Sequence, residues 1–298
     1  MESSAYPSPA KPSKTSGLAI ASLVCGFLGF LLLPGLFGVV FGIMALRQIN
    51  ASGGTVGGKG LAIGGLVLSG ITIAATVVIL LMASMLLPAL GKAKGKANRI
   101  KCVNNLSNIG KAHFGFAIDN DERLPWQLAP TQRQNHFGSG ATQGLTVGAI
   151  FGIQAMKAEL QTPKILVSPS DPARHAANEN METEWSSYNT SAGNPIPTED
   201  ISYGLCAGGD TQRPFTVTAL TKNIRSDLTS DWTGADEHPI HPHAFAGLNK
   251  SQGQMVLADG SARQSSNADL GMNGKITKNH VNSRGGQSPG NASTAVLR

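Results

Sequence analysis

The sequence predicts an α+β fold anchored to a membrane: two N-terminal transmembrane helices, the second continuing into a long helix that packs on a small antiparallel β-sheet. Three observations predict it. Residues 61–90 hold no charged side chain, and a helix needs only about 20 apolar residues to cross a bilayer. Lys92, Lys94, Lys96, Arg99 and Lys101 follow at once, a cationic collar whose long stems can reach lipid headgroups. Ile100, Val103, Leu106, Ile109 and Phe116 then recur at three- to four-residue spacing, the stripe of a helix with one buried face.

The elements follow in order. Residues 1–15 (MESSAYPSPAKPSKT) are rich in Ser and Pro and read as a disordered tail. No cleavage site of small residues closes the apolar run after them, so this is not an ordinary signal peptide. Residues 16–90 read as a two-helix membrane domain with crossings at about 16–46 and 61–88. The first run is interrupted by Leu33-Pro34-Gly35-Leu36, and proline removes a backbone donor and kinks a helix. It is therefore either one kinked crossing or a re-entrant hairpin. Because residues 36–46 are too few to cross alone, one kinked crossing is the expectation. Residues 47–60 (RQINASGGTVGGKG) form a polar loop whose glycines suit a tight connection. Gly64, Gly65, Ser69, Gly70, Ala74 and Ala75 let the second helix pack closely against Gly26, Gly29, Gly35, Gly38 and Gly42 of the first segment. No internal repeat stands out.

Residues 91–265 read as the soluble domain: the helix, then short strands and long loops. ISYGL (201–205) and FTVTALT (215–221) are strand-like, as is KILV (164–167) before the turn-rich SPSDP. QMVLADGSARQ (254–264) carries the best hairpin signal, with Asp259-Gly260 as its turn. Residues 138–150 and 176–198 are Gly-, Ser- or Asn-rich and read as loops. Residues 266–298 hold few large apolar groups and read as a mostly disordered tail.

Charge and motifs exclude several functions. The formal net charge is +6, but residues 1–101 hold nine Lys/Arg and one acid, while residues 102–298 hold fifteen Lys/Arg and seventeen acids. The basic surplus sits beside the apolar runs, where anionic lipid can meet it, and not on the folded domain as nucleic-acid binding requires. Of three cysteines, Cys25 lies in an apolar run. Cys102 and Cys206 are two unpaired thiols or, alternatively, a pair that sequence cannot bring together. Asp231, Asp236, Glu237, His238, His241 and His243 in DWTGADEHPIHPH are ligand types that suit a divalent ion. Prolines break their spacing, so a solvated loop is the expectation, with His238, His241, His243 and Asp236 as weak metal candidates and no cofactor expected. Asp259 and Asp171 read as turn residues. There is no Gly-x-Ser-x-Gly elbow, no HExxH and no Walker spacing in GGTVGGKG, and enzyme activity is not expected.

Two resemblances arise on these residues. SGLAIASLVCGFLGFLLLPGLFGVVFGIMALRQI and SGGTVGGKGLAIGGLVLSG, over about 17–80, resemble a bacterial two-helix membrane module, domain of unknown function number 4190. This implies a location and no activity. Over about 84–265, SMLLPALGKAKGKANRIKCVNNLSNIGKA, ILVSPSDPARH, ISYGLCAGGD, FTVTALTKNI and GQMVLADGSARQ resemble type II secretion pseudopilins and type IV pilin-like proteins, in the branch with an H-x9-Asp-Gly motif. That resemblance implies a long N-terminal helix on a small antiparallel sheet. It departs from the family at telling positions. No Gly-Phe processing site lies near Leu66-Val67, and Ile71 replaces the assembly glutamate. Asn249 replaces the motif histidine, Ser261 the second histidine, and Ser168 the usual cysteine partner of Cys102. The implied outcome is a stalk kept as an anchor.

The Lys/Arg count favours both termini in the cytoplasm, whereas the pilin resemblance places the soluble domain outside with the 47–60 loop inside; the second is preferred. The expected protein is thus a multi-pass bacterial inner-membrane protein with an extracytoplasmic domain. It is non-enzymatic, structural or accessory, with the lipid bilayer and other membrane or pilin-like subunits as partners and no nucleic acid. The alternative is a tethered ligand- or metal-binding sensing module that uses the His-rich loop or a long loop at 127–160.

Overall fold

The computed structural model describes residues 14–28, 33–53, 56–138, 141, 144–171, 184–185, 188–234, 245, 248, 251–287 and 289–298. The chain forms two compact units, Met1–Gly91 and Lys92–Arg298. It mixes helices with an antiparallel sheet, as the sequence predicts.

In the first unit the short strand β1 (Lys14–Thr15) precedes helix α1 (Gly17–Phe27), followed by α2 (Leu33–Ala51), β2 (Val56–Gly57) and the start of α3 (Lys59–Ile118). Lys14 and Thr15, the last two residues of the expected tail, thus form a strand. The kinked crossing expected for 16–46 is corrected: α1 and α2 are separate helices packed antiparallel. Ser16 donates to Gln48 Oε1 at 3.0 Å at the open end, and Gly26 lies against Gly38 near the other. The physical reason lies in their small faces, because glycine on both helices lets the backbones approach closely.

α1 and α3 run parallel. Ala19 and Ala62 share one buried cluster with Ala45, Ser22 faces Gly65, and Gly26 faces Ser69. β1 and β2, just ahead of the two helices, pair in parallel at Lys14↔Val56 and Thr15↔Gly57. The offset shared by the facing helix residues Ala19 and Ala62, Ser22 and Gly65, Gly26 and Ser69 exposes a repeat that the sequence reading missed: GLAIASLVCGF (17–27) and GLAIGGLVLSG (60–70) agree at six of eleven positions. The differing positions include the facing pairs, Ser22 against Gly65 and Gly26 against Ser69. α2, over Pro34–Ala51, and α3 are long and apolar enough to cross a membrane, by length and composition only.

In the second unit, α3 runs on through Pro88 to Ile118 and packs on a five-stranded antiparallel sheet. The strands are β3 (Tyr203–Cys206), β4 (Val217–Thr221), β5 (Gly253–Leu257), β6 (Ala262–Ser265) and β7 (Val296–Leu297), in the order β6-β5-β4-β3-β7. Leu106, Ile109, Ala112 and Phe116 of α3 share one core with Tyr203, Leu205, Ala219 and Val256. Gly110 allows the close approach, because a Cβ there would meet Val256 Cγ2 at 2.7 Å. Of the expected stripe, Ile100 is exposed and lies off this face, which Cys102 joins instead. The β5–β6 hairpin turns at Gly260, with φ of +81°, while Asp259 Oδ1 accepts the Ser261 N–H at 2.8 Å.

Three expectations need correction. KILV forms a 3-10 helix (Pro163–Leu166) led by Pro163, which lacks a ladder donor. The long loop expected at 127–160 contains α4 (Pro130–Phe137), α5 (Val147–Phe151) and α6 (Gln154–Leu160), whose Phe137, Ile150, Phe151 and Met156 enter the core. The expected C-terminal tail is built into the domain: α7 (Lys275–Asn282) buries Ile276, Thr277 and His280, and β7 covers the edge of β3. Polar side chains do much of this ordering. Thr277 Oγ1 donates to the Leu228 carbonyl at 2.9 Å, and Asp210 Oδ2 accepts the Gln287 N–H at 2.9 Å.

Candidate functional site

The weak metal candidates Asp236, His238, His241 and His243, with Glu237, lie outside the described residues. Asn249, at the motif-histidine position, does too. Among the described residues no group of His, Cys, Asp and Glu could hold a metal. Asp231 is exposed, and Asp259 is a turn residue as its sequence suggests. Asp171 is buried, its N–H donating to the Ser168 carbonyl at 3.1 Å.

Cys102 and Cys206 are both free and buried, in separate surroundings. Cys102 Sγ lies 2.8 Å from Ser168 Oγ, so the serine standing at the cysteine-like position is the cysteine's actual neighbour. Around them Asn105 Nδ2 donates to the Val167 carbonyl at 3.2 Å and to Tyr203 Oη at 3.1 Å, and the Ser168 N–H donates to Ser202 Oγ at 3.0 Å. This network pins α3 to residues 167–170 and to β3. Burial pushes the Tyr203 phenol well above its ordinary value, with the Cys102 thiol adding to the shift. Tyr203 therefore stays neutral and serves as a hydrogen-bonding post.

Cys206 Sγ lies 3.8 Å from His280 Nε2, the pairing a thiol nucleophile and its base require. The hydrogen bonds exclude that use. His280 Nδ1 accepts the Val217 N–H at 3.0 Å, so Nε2 carries the proton and donates to the Ser293 carbonyl at 2.7 Å. Neither nitrogen has a lone pair for the thiol proton. Burial also pushes the thiol up to about 12 and lowers the imidazole, so both groups stay neutral. The pair fastens α7 to β4 and to the chain before β7.

His113 is fully buried between Trp126, at 5.3 Å edge-on, and Phe151, stacked at 6.2 Å, with no hydrogen-bond partner for either nitrogen. Burial lowers its pKa to about 3. A polar cleft of about 430 Å³ is lined by Arg99, Ser251, Gln252, Gln254, Gln264 and Asp269 among others.

The most distinctive construction is the packing centre of the first unit. Ser22 projects into space that a Cβ on Gly65 would take, and Ser69 into the space over Gly26 and Gly38. The Ser69 hydroxyl is satisfied by the Gly65 carbonyl at 2.7 Å, its own i−4 residue, so it costs the apolar packing nothing. Beside this centre a cleft of about 430 Å³ is lined, among the described residues, by Leu23, Val24, Phe27, Leu28 and Leu68. A sequence self-comparison over the GLAI segments was the signal that could have found this arrangement.

A three-helix unit of small-residue contacts, ahead of a helix-on-sheet domain, defines the class of chain. Within it, residues 18–79 match the family model of a domain of unknown function, DUF4190. The match lies within the 17–80 resemblance. No curated protein matches the chain, and no solved structure does.

Proposed function

We propose that the protein is a membrane-anchored, non-enzymatic structural or accessory protein with an exported, pilin-like domain serving a secretion or pilus-like assembly. The observation that carries this reading is that one helix, α3, holds both an uncharged run of thirty residues and, after the cationic collar, the face that packs on the sheet. Support for the pilin-like part comes from the motifs at 84–112, 165–175, 201–210 and 253–264 and from the helix-on-sheet arrangement. Support for a non-enzymatic role comes from the Cys206–His280 pair, whose hydrogen bonds are all spent on structure. The anchor role follows from Ile71, which leaves no carboxylate in the stalk for filament assembly.

Crosslinking in native bacterial membranes tests the assembly role. Crosslinked adducts with other membrane or pilin-like subunits are expected, and a strictly monomeric protein with no such partner contradicts it. One feature favours a second reading, a tethered binding module: the polar cleft beside Arg99, whose amides, hydroxyls and guanidinium suit a small polar ligand. Elemental analysis of the purified chain separates out the metal-binding form of that reading, which requires a stoichiometric ion.

A further inference from the structure

We propose that the α1–α2 hairpin is a wedge seated in one lipid leaflet, so that α3 alone crosses the bilayer. This deepens the anchored reading and rests on it.

Length argues first. From the Ser16–Gln48 hydrogen bond to Leu28 the α1 arm is about 18 Å long at 1.5 Å per helical residue, against about 30 Å of hydrocarbon, and α2, although long enough to cross by itself, runs back alongside that arm. α1 has eleven residues, too few to cross. Polarity argues second. The charged residues of the segment, Lys14, Arg47 and Lys59, gather at one end, with Ser16 and Gln48 beside them. The sequence between α1 and α2, residues 29–32, has no polar side chain, a composition that suits hydrocarbon and not a headgroup layer. The outer faces argue third. Ile20, Val24, Phe27, Phe37 and Val40 are exposed, Phe27 by 77%, while the serines and glycines point inward. The apolar cleft at Leu23, Phe27 and Leu68 lies toward the closed end and suits an acyl chain of that same leaflet.

The hairpin's contacts with α3 run from Ala62 to Ser69. Beyond them the uncharged helix continues to Leu90, ample length to complete the crossing through the second leaflet. Because α1 enters and α2 returns on the same side, the tail before Lys14 and the 47–60 loop share one face of the membrane. α3 leaves on the other face at its collar. Two full crossings would instead put the tail opposite the loop.

The test uses the full chain in bacterial membranes with an epitope tag at the N-terminus, inserted at Gly53, or placed after Arg298, each probed with antibody in spheroplasts before and after permeabilisation. The wedge predicts that the first two tags become accessible together and the third under the opposite condition. An N-terminal tag on the face opposite the Gly53 tag overturns it, and so do three tags on one face. A chain that fractionates with the soluble proteins defeats the anchored reading itself, which keeps the two failures distinct.

Discussion

Ser22 of α1 sits over Gly65 of α3, and one turn further along the relation is exchanged, with Ser69 of α3 over Gly26 of α1. The two repeats are therefore complementary, and each supplies the notch for the other's hydroxyl. Packing of this kind tolerates no added methyl groups. Gly65→Val would drive its side chain into Ser22 Oγ and into the Leu23 backbone nitrogen at 2.8 Å. A loss of about 2–3 kcal/mol is expected from overpacking, read as earlier thermal unfolding of the chain in detergent micelles. Gly70→Val, where nothing lies within 4 Å, is the control and should unfold at nearly the wild-type temperature.

Ser168→Cys should form a disulfide with Cys102, because the two side-chain heteroatoms already lie 2.8 Å apart. Closing that loop is expected to stabilise the domain by about 4 kcal/mol. Non-reducing electrophoresis after oxidation of the purified variant checks the geometry. The same gel on whole cells, quenched with a thiol blocker, reads the compartment, since such bonds persist only where the environment is oxidising.

His113 makes the domain acid-sensitive in a definite direction. Its folded pKa of about 3 lies below the ordinary 6.5, so the unfolded chain binds the extra proton between those values. Stability is full above pH 6.5 and falls as the pH drops toward 3, by about 1.4 kcal/mol per unit from this group. His113→Phe should flatten that decline and raise neutral-pH stability by about 1 kcal/mol by removing two unpartnered nitrogens. Some slope should survive, because burial lowers His280 as well. Denaturant titrations between pH 4 and 8, followed by near-UV circular dichroism, measure both effects.

The C-terminal segment is held by a buried ion pair. Asp210 Oδ2 lies 3.7 Å from Arg213 Nε and accepts the Gln287 N–H, while Arg213 Nη1 donates to the Gly290 carbonyl at 3.3 Å. Arg213→Met strands the buried carboxylate and should cost about 3 kcal/mol. Limited proteolysis should then cut within 283–298 first, and wild-type resistance there would refute the fastening role.

The long helix, its buried face and the β5–β6 turn were legible because each rests on local periodicity or turn chemistry: Leu106, Ile109 and Phe116 recur on one face, and Asp259-Gly260 marks the hairpin. The α1–α2 hairpin was not, because a proline in an apolar run is compatible with a kink or a reversal, and the Gly26–Gly38 approach and the Ser16–Gln48 hydrogen bond decide between them. The C-terminal segment misled for a different reason. Its order comes from Thr277, His280 and Asp210 bonding to distant backbone groups, partners that composition does not reveal. At the candidate sites, the Cys102–Ser168 contact was partly legible from motif position. The Cys206–His280 pair, 74 residues apart in sequence, had no local signal.

The central claim, an anchored domain carried outside the cytoplasm, is tested most directly by protease digestion of intact spheroplasts expressing the chain with a tag after Arg298. The account predicts loss of the C-terminal tag while the membrane is intact. A tag that survives until the spheroplasts are lysed would contradict it.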